Sequence, residues 1–306
     1  MNAAVGLLLY AAIMTWCAPK MLCHMTETGV APRLGVAVWL AAIGGALGAW
    51  AAAVTALVVA AFGSGHRAAT FCLEVLGFSR QVGLPSQLGS VVGTALAAGG
   101  ILVTAAAGHG VLRRIHRMRA SSSRHAQQAR VIGRPTDRTG VLVVQSPHAV
   151  AYCVTGRPRT IVVTSAVLES LDQSELAAVL AHEHAHLTGR HHQLLMVLRA
   201  LAAALPRFPL FVQGATATAR LLEMCADDAA VRQHGSRPLL RGLMTLVARP
   251  SPASALGAAD TAVLARATRL AKPPAYLARW RQRVLLSTSV AVTAVVPVLT
   301  AVLCHH

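Results

Sequence analysis

From Leu34 to Phe62 the chain runs without one charged side chain. A stretch so long and so apolar leaves few folds open. In a bilayer every backbone N–H and C=O must find its partner within the protein, so the segment is expected to cross as a helix. It exceeds the length of a span, which predicts tilt or extension beyond the lipid. Three more runs read the same way: about residues 3–18, Leu88 to Leu112, and Val284 to Cys304. They account for a composition that is 55% hydrophobic and only 13% charged, with a mean hydropathy of +0.54. Soluble domains are less apolar and more charged. Gly44 and Gly48 form a GxxxG spacing in the second run, a weak packing signal in a helix rich in alanine and glycine. The first run has no positive side chain before it, and Lys20 follows it. It therefore reads as an uncleaved helix with its N-terminus outside rather than as a signal peptide.

Arginine placement gives an orientation. Arg113, Arg114, Arg117, Arg119, Arg124 and Arg130 follow the third run, and Arg279, Arg281 and Arg283 precede the fourth. The positive-inside rule then puts residues 113–283 in the cytoplasm and both termini outside. The loops at 19–33 and 63–87 carry two Lys/Arg each and do not discriminate. The net charge of +17 is read as topology-setting charge that meets anionic lipid, not as a nucleic-acid surface. Six cysteines stand at 17, 23, 72, 153, 225 and 304 with no CxxC pair. Cys153 and Cys225 fall in the inferred cytoplasmic part, where thiols stay reduced, and Cys225 reads as packing.

The chemistry lies in His182-Glu183-His184-Ala185-His186. Histidines four apart on a helix share a face and can reach one metal ion. Glu183 lies about 100° round the helix from His182. There it can take a proton from a water at the metal and later give it to a leaving amine. Asp172 with Glu175 three residues on forms a capping-box start for that helix. The bland alternative is a histidine cluster on an ordinary helix. His184 points about 200° from His182 and cannot share the ion.

Catalytic zinc usually takes three protein ligands. His192 would complete a HExxHxxGxxH pattern, with Gly189 available for a sharp turn. Glu223 competes from a second predicted helix, with Asp227 one turn later able to hold a ligand imidazole by its other ring nitrogen. Only 11 residues are acidic, and three of them cluster at Glu223, Asp227 and Asp228. That favours Glu223. His191 and His192 are then expected at a helix end where an imidazolium suits the dipole.

Around the motif, Arg113–Gly140 reads as a helix extension running into a linker. Val141–Val144, Ala149–Thr155 and Thr160–Thr164 read as short strands. A strand bordering such a site commonly offers its edge to an extended substrate. Gln193 to Val212 reads as a helix along the cytoplasmic membrane face. Pro250 to Leu256 reads as a turn-rich link, and residues 261–271 as a helix ended by Pro273-Pro274.

Three N-terminal spans, an HExxH domain and a fourth span resemble the BlaR/MecR-type membrane metallopeptidases, an antirepressor family. The matching residues are Glu175-Leu176 through His182–His186, Phe208-Pro209-Leu210, and Glu223-Met224-Cys225-Ala226-Asp227. The resemblance implies a gluzincin site of two histidines and a downstream glutamate, and a cytoplasmic repressor of the BlaI/MecI type as substrate. CAAX-prenyl and HtpX-type membrane peptidases share the same local motifs. The antibiotic-sensing members carry a penicillin-binding domain after the fourth span, and none is expected here. A separate sensor protein, or the loop around 63–87 and the spans, is expected to sense instead.

The expected protein is thus mostly α-helical and polytopic, with about four transmembrane helices. Residues 1–112 form a three-span region, 113–283 a cytoplasmic zincin-like α+β metallopeptidase domain, and 284–306 the fourth span and tail. One Zn2+ per chain is held by His182, His186 and Glu223, Asp227 orients a ligand, and Glu183 is the base. His234 and Tyr152 are candidates for stabilising the oxyanion. Expected partners are a protein substrate and the bilayer, with no direct nucleic acid. The competing functions are a quality-control or processing protease of HtpX/CAAX type, and a scaffold with a structural metal.

Overall fold

The computed structural model describes residues 3–62, 86–154, 159–248, 257–272 and 274–303. The expected sensing loop at 63–87 lies almost wholly outside the described residues, and the turn-rich link at 250–256 lies wholly outside them. The fold is mostly helical. Helix α1 (Ala3–Trp16) is followed by α2 (Ala18–Thr26), α3 (Pro32–Phe62) and the long α4 (Ser86–Ile132). A four-stranded sheet comes next: β1 (Arg134–Pro135), β2 (Val141–Val144), β3 (Ala151–Val154) and β4 (Thr160–Thr164). Helices α5 (Ser165–Ser170), α6 (Gln173–Thr188), α7 (His191–Ala204), α8 (Pro209–His234), α9 (Ser236–Ala248), α10 (Gly257–Ala271) and α11 (Tyr276–Leu303) complete it.

Among the described residues three helices are long and apolar enough to cross a membrane, within α3, α4 and α11, making up to four spans if the bent α1–α2 pair counts as one. The first apolar run is thus not one straight helix. It bends by 47° after Trp16, where Pro19 sits in the first turn of α2. A proline there supplies no N–H to the turn before it, which lets the axis change direction. The GxxxG pair also does not make the contact expected of it. A Cβ on Gly44 or Gly48 would meet nothing within 4 Å, whereas one on Gly45 would come 2.8 Å from the Tyr10 hydroxyl. Small size is needed at Gly45, where α1 crosses α3.

The helix extension expected after Arg113 is present, α4 continuing unbroken to Ile132, but the linker it leads into is short, with β1 beginning at Arg134. The expected domain boundaries at 112/113 and 283/284 fall inside α4 and α11. The three anticipated strands join one sheet of order β1-β2-β4-β3. β2 runs parallel to β4, and β3 antiparallel to it. β4 is central and buried along its whole length, leaving β3 at an edge beside α6.

Helix α6 starts as its sequence predicts. Asp172 accepts from the N–H groups of Ser174 at 2.7 Å and Glu175 at 2.8 Å, and Glu175 accepts from the Asp172 N–H at 3.2 Å. This satisfies amides that the first turn would otherwise leave open. Leu171, Val179 and Leu187 of this region pack on Ile161 and Val163 of β4.

The largest core joins the long apolar helices to the motif-bearing part. Trp39, Ala42 and Ile43 of α3 pack with Leu210, Phe211 and Leu221 of α8. A Cβ on Gly214 would sit 2.9 Å from Ile43 Cδ1, so glycine there permits the close crossing of α3 and α8. Arg220 donates to the Thr26 carbonyl at 3.1 Å and Gln282 to the Met25 carbonyl at 2.8 Å. Both cap the end of α2 from outside. Expressed alone, residues 113–283 would expose the apolar face of α8. Such a fragment is expected to aggregate or elute as a soluble oligomer in gel filtration, while the full chain in detergent runs as a single species. A monodisperse, zinc-binding fragment would contradict this account of the core.

Candidate metal centre

Helices α6 and α8 meet through small residues. Ala178 and Ala181 of α6 and Ala226 and Ala230 of α8 are all buried. Alanine at such a crossing lets the axes approach, which brings the next residues on each helix within reach. One potential metal ligand atom each from His182, His186 and Glu223 lies within 4.8 Å of the others. His182 Nε2 and His186 Nε2 are 3.1 Å apart. Glu223 Oε2 is 3.5 Å from the first and Oε1 3.4 Å from the second. Ligands about 2.0–2.2 Å from a tetrahedral zinc are separated by roughly 3.3–3.6 Å. Two imidazole nitrogens and a carboxylate at these spacings fit zinc.

Each imidazole is held by its other ring nitrogen, but not by the same kind of partner. His182 Nδ1 lies 3.0 Å from Asp227 Oδ1, a carboxylate that favours the ring N–H on that side when Nε2 gives up its proton to a metal. His186 Nδ1 lies 2.8 Å from His191 Nδ1. Between two imidazoles one nitrogen donates and the other accepts. Burial lowers the His191 pKa to about 4, with further lowering by the neighbouring His186 charge. His191 is thus neutral at physiological pH and can accept the His186 proton. His191 and His192 sit in the first turn of α7, at the N-terminal end of a helix rather than the C-terminal end. An imidazolium is disfavoured at that positive dipole end, so the expected charge-to-dipole role is corrected.

Gly189 also serves a purpose other than a sharp turn. Its φ is −74°, and the left-handed residue is Arg190 at φ 52°. A Cβ on Gly189 would come 2.3 Å from His191 Nε2, so glycine makes room for the ring that supports His186. His192 faces elsewhere, lining a cavity with Arg119 and Ser122 of α4. It lies outside the His182–His186–Glu223 group.

Asp227 is fully buried and Glu223 half-buried, settings that favour the protonated acid. Burial raises the pKa of Glu223, but hydrogen bonds to His182 and His186 and the charge of Arg266 win, holding it well below the usual carboxylate range. Asp227 behaves alike, lowered by its bonds to Arg266 and His182 against burial. Arg266 of α10 makes this possible. Its Nε and Nη2 reach both Asp227 oxygens at 2.8 and 2.7 Å, and its Nη1 reaches Glu223 at 3.1 Å. One planar guanidinium thus fixes both acids. Arg269, one turn on, donates to Asp228 at 2.6 Å. Neither arginine was visible as a site residue in the sequence, because the link before α10 carries no spacing cue.

Glu183 lies at the edge of the cluster beside β3. Burial raises its pKa, partly offset by the His182 charge and by the Cys153 thiol, which donates to Oε2 at 3.1 Å. A carboxyl raised toward neutrality suits a group that must both accept and return a proton. Burial and Glu183 together push the Cys153 thiol far above its ordinary range, keeping it a neutral donor. On β3 Cys153 faces α6, so Tyr152 faces the opposite side, where its ring meets His125 at 5.6 Å. His234 is exposed at the far end of α8, roughly 16 Å along the axis from Glu223 at 1.5 Å per residue. Neither residue stands beside the cluster as an oxyanion donor. His184 is exposed, as its angle predicted.

Residues 116–264 match the sequence profile of Peptidase family M48, a family of metallopeptidases. The matched segment contains His182, Glu183, His186, Glu223 and Asp227 and ends two residues before Arg266. No curated protein and no solved structure matches the chain significantly. Replacing His191 with Phe keeps the ring but removes the acceptor for His186. Zinc affinity is expected to fall about 10–100-fold in competition with a chromophoric chelator. Unchanged affinity would make His191 a packing residue only.

Proposed function

We propose that this protein is a membrane-tethered, zinc-dependent endopeptidase acting on a cytoplasmic protein. What carries the reading is that Glu183 stands beside three donors spaced for zinc, next to the edge strand β3. A scaffold with a structural metal would need a fourth protein ligand to close its site. Among the described residues the donor group has three members.

In this reading the substrate backbone lies extended along β3, which presents an edge beside α6 and can hydrogen-bond it as an added strand. His182, His186 and Glu223 hold zinc, which supplies Lewis acidity toward the scissile carbonyl when bound. Asp227 and His191 fix the two imidazoles, and Arg266 fixes the two acids. Glu183 takes a proton from the attacking water and passes it to the leaving amine. The Cys153 S–H aims the carboxylate by donating to Oε2. The arginines after Leu112 support a cytoplasmic side for residues 113–283, and counting the bent α1–α2 pair as a fourth span would then leave both termini outside.

By its resemblance to the BlaR/MecR-type peptidases, the proposed substrate is a transcriptional repressor, and the cut is a step in signal transduction. Replacing Glu183 with Ala is expected to lower cleavage by about 10²–10⁴-fold while zinc content stays at the wild-type level. In cells, comparing the cytoplasmic proteomes of wild type and Glu183→Ala should reveal one stabilised protein. Many stabilised membrane proteins would instead favour quality control, and wild-type cleavage by the variant would overturn the assignment of Glu183.

A further inference from the structure

A cavity of roughly 570 Å³ opens between α1, α3, α4 and the α7–α8 connection. That volume is in the range that holds one small ligand. Its walls are apolar: Leu8, Leu47, Val103, Leu205, Phe208 and Phe211 are among them. Its few hydroxyls are spoken for. Thr15 donates to the Ala11 carbonyl at 2.6 Å and Thr104 to the Gly100 carbonyl at 2.7 Å, while Thr104 accepts from Trp50 Nε1 at 3.0 Å. With these groups satisfied, the cavity favours hydrocarbon over a polar ligand.

The surroundings fix what kind of hydrocarbon. Three walls are helices apolar enough for the bilayer or, for α1, part of a bent pair that is. At one end Leu112 lines the cavity and is followed at once by exposed Arg113 and Arg117. Phe208 lines it too and is preceded by exposed Arg207. Trp16, whose ring rests on Phe208 at 5.5 Å, is four residues before exposed Lys20. None of these four cations is ion-paired to a carboxylate among the described residues. An apolar slot at membrane depth with cations beyond its mouth complements one molecule type, an acyl chain below an anionic headgroup.

We infer that this cavity is a binding site for an anionic phospholipid, one acyl chain seated between α1, α3 and α4 and the headgroup facing Arg113 and Arg207. The lipid would brace the start of α8, the helix that carries Glu223 and Asp227 at its other half. Binding itself does not depend on the chain being a peptidase.

Native mass spectrometry of the full-length protein in detergent tests this with phosphatidylglycerol and phosphatidylcholine as probes. Gly108 lines the cavity, and a Cβ there meets nothing within 4 Å, so Gly108→Phe fills the slot without a clash at the backbone. The wild type is expected to retain one phosphatidylglycerol in preference to phosphatidylcholine. R113Q/R207Q should weaken that preference by about fivefold per cation removed. Gly108→Phe should lose the bound lipid while its circular dichroism and bound zinc stay unchanged. Equal retention of the two lipids by the wild type would overturn the inference, as would undiminished retention by a folded Gly108→Phe protein. If Gly108→Phe does not fold, Leu47→Phe fills the same cavity from α3 and is read against the same two outcomes.

Discussion

Helix α8 is packed at its first half against the long apolar helices and at its second half against the HExxH helix, and the rest of the structure depends on this double contact. Near Gly214 and Leu221 its neighbours are Trp39, Ile43 and Gly35 of α3. Two turns later Ala226 and Ala230 bring it close to Ala178 and Ala181. A helix is stiff over that length, so the position of Glu223 relative to His182 is set partly by residues packed on α3. The motif-bearing part is not a separate domain hung on a linker. Close packing of Trp39, Ala42 and Ile43 on Leu210, Phe211 and Leu221 ties the two regions together.

Within the cluster, the contest is between burial, which protonates acids, and hydrogen bonds, which ionise them. Arg266 decides it by touching Glu223 and Asp227 at once. Without zinc, the two acids also act on His182. Burial lowers its pKa, but the bonds to Asp227 and Glu223 outweigh that and raise it to about 9. A zinc ion must then displace a proton from His182, so binding weakens as pH falls below that value. The acids that make the site attractive to a cation thus also give it a competing proton.

The sequence made part of this legible. The helix under His182 and His186, its cap at Asp172, and the acid cluster at Glu223–Asp227 all follow from spacing, because helical period is a local property. So do the three strands. What escaped was non-local. Arg266 reaches the cluster across the link before α10, His191 reaches His186 round a turn, and Cys153 comes from an edge strand some thirty residues earlier. Periodicity carries no information about such meetings. The same limit explains why the GxxxG spacing of Gly44 and Gly48 did not point to the contact at Gly45, since a motif does not say which face of a helix has a neighbour.

The central claim is that two imidazoles and the Glu223 carboxylate hold a zinc ion while His192 and Cys153 do not. X-ray absorption of the zinc-loaded, full-length protein tests it most directly. The account predicts only nitrogen and oxygen scatterers at about 2.0–2.2 Å, with two imidazoles, and loss of that shell on Glu223→Ala. A third imidazole, or a sulfur at about 2.3 Å, would contradict it.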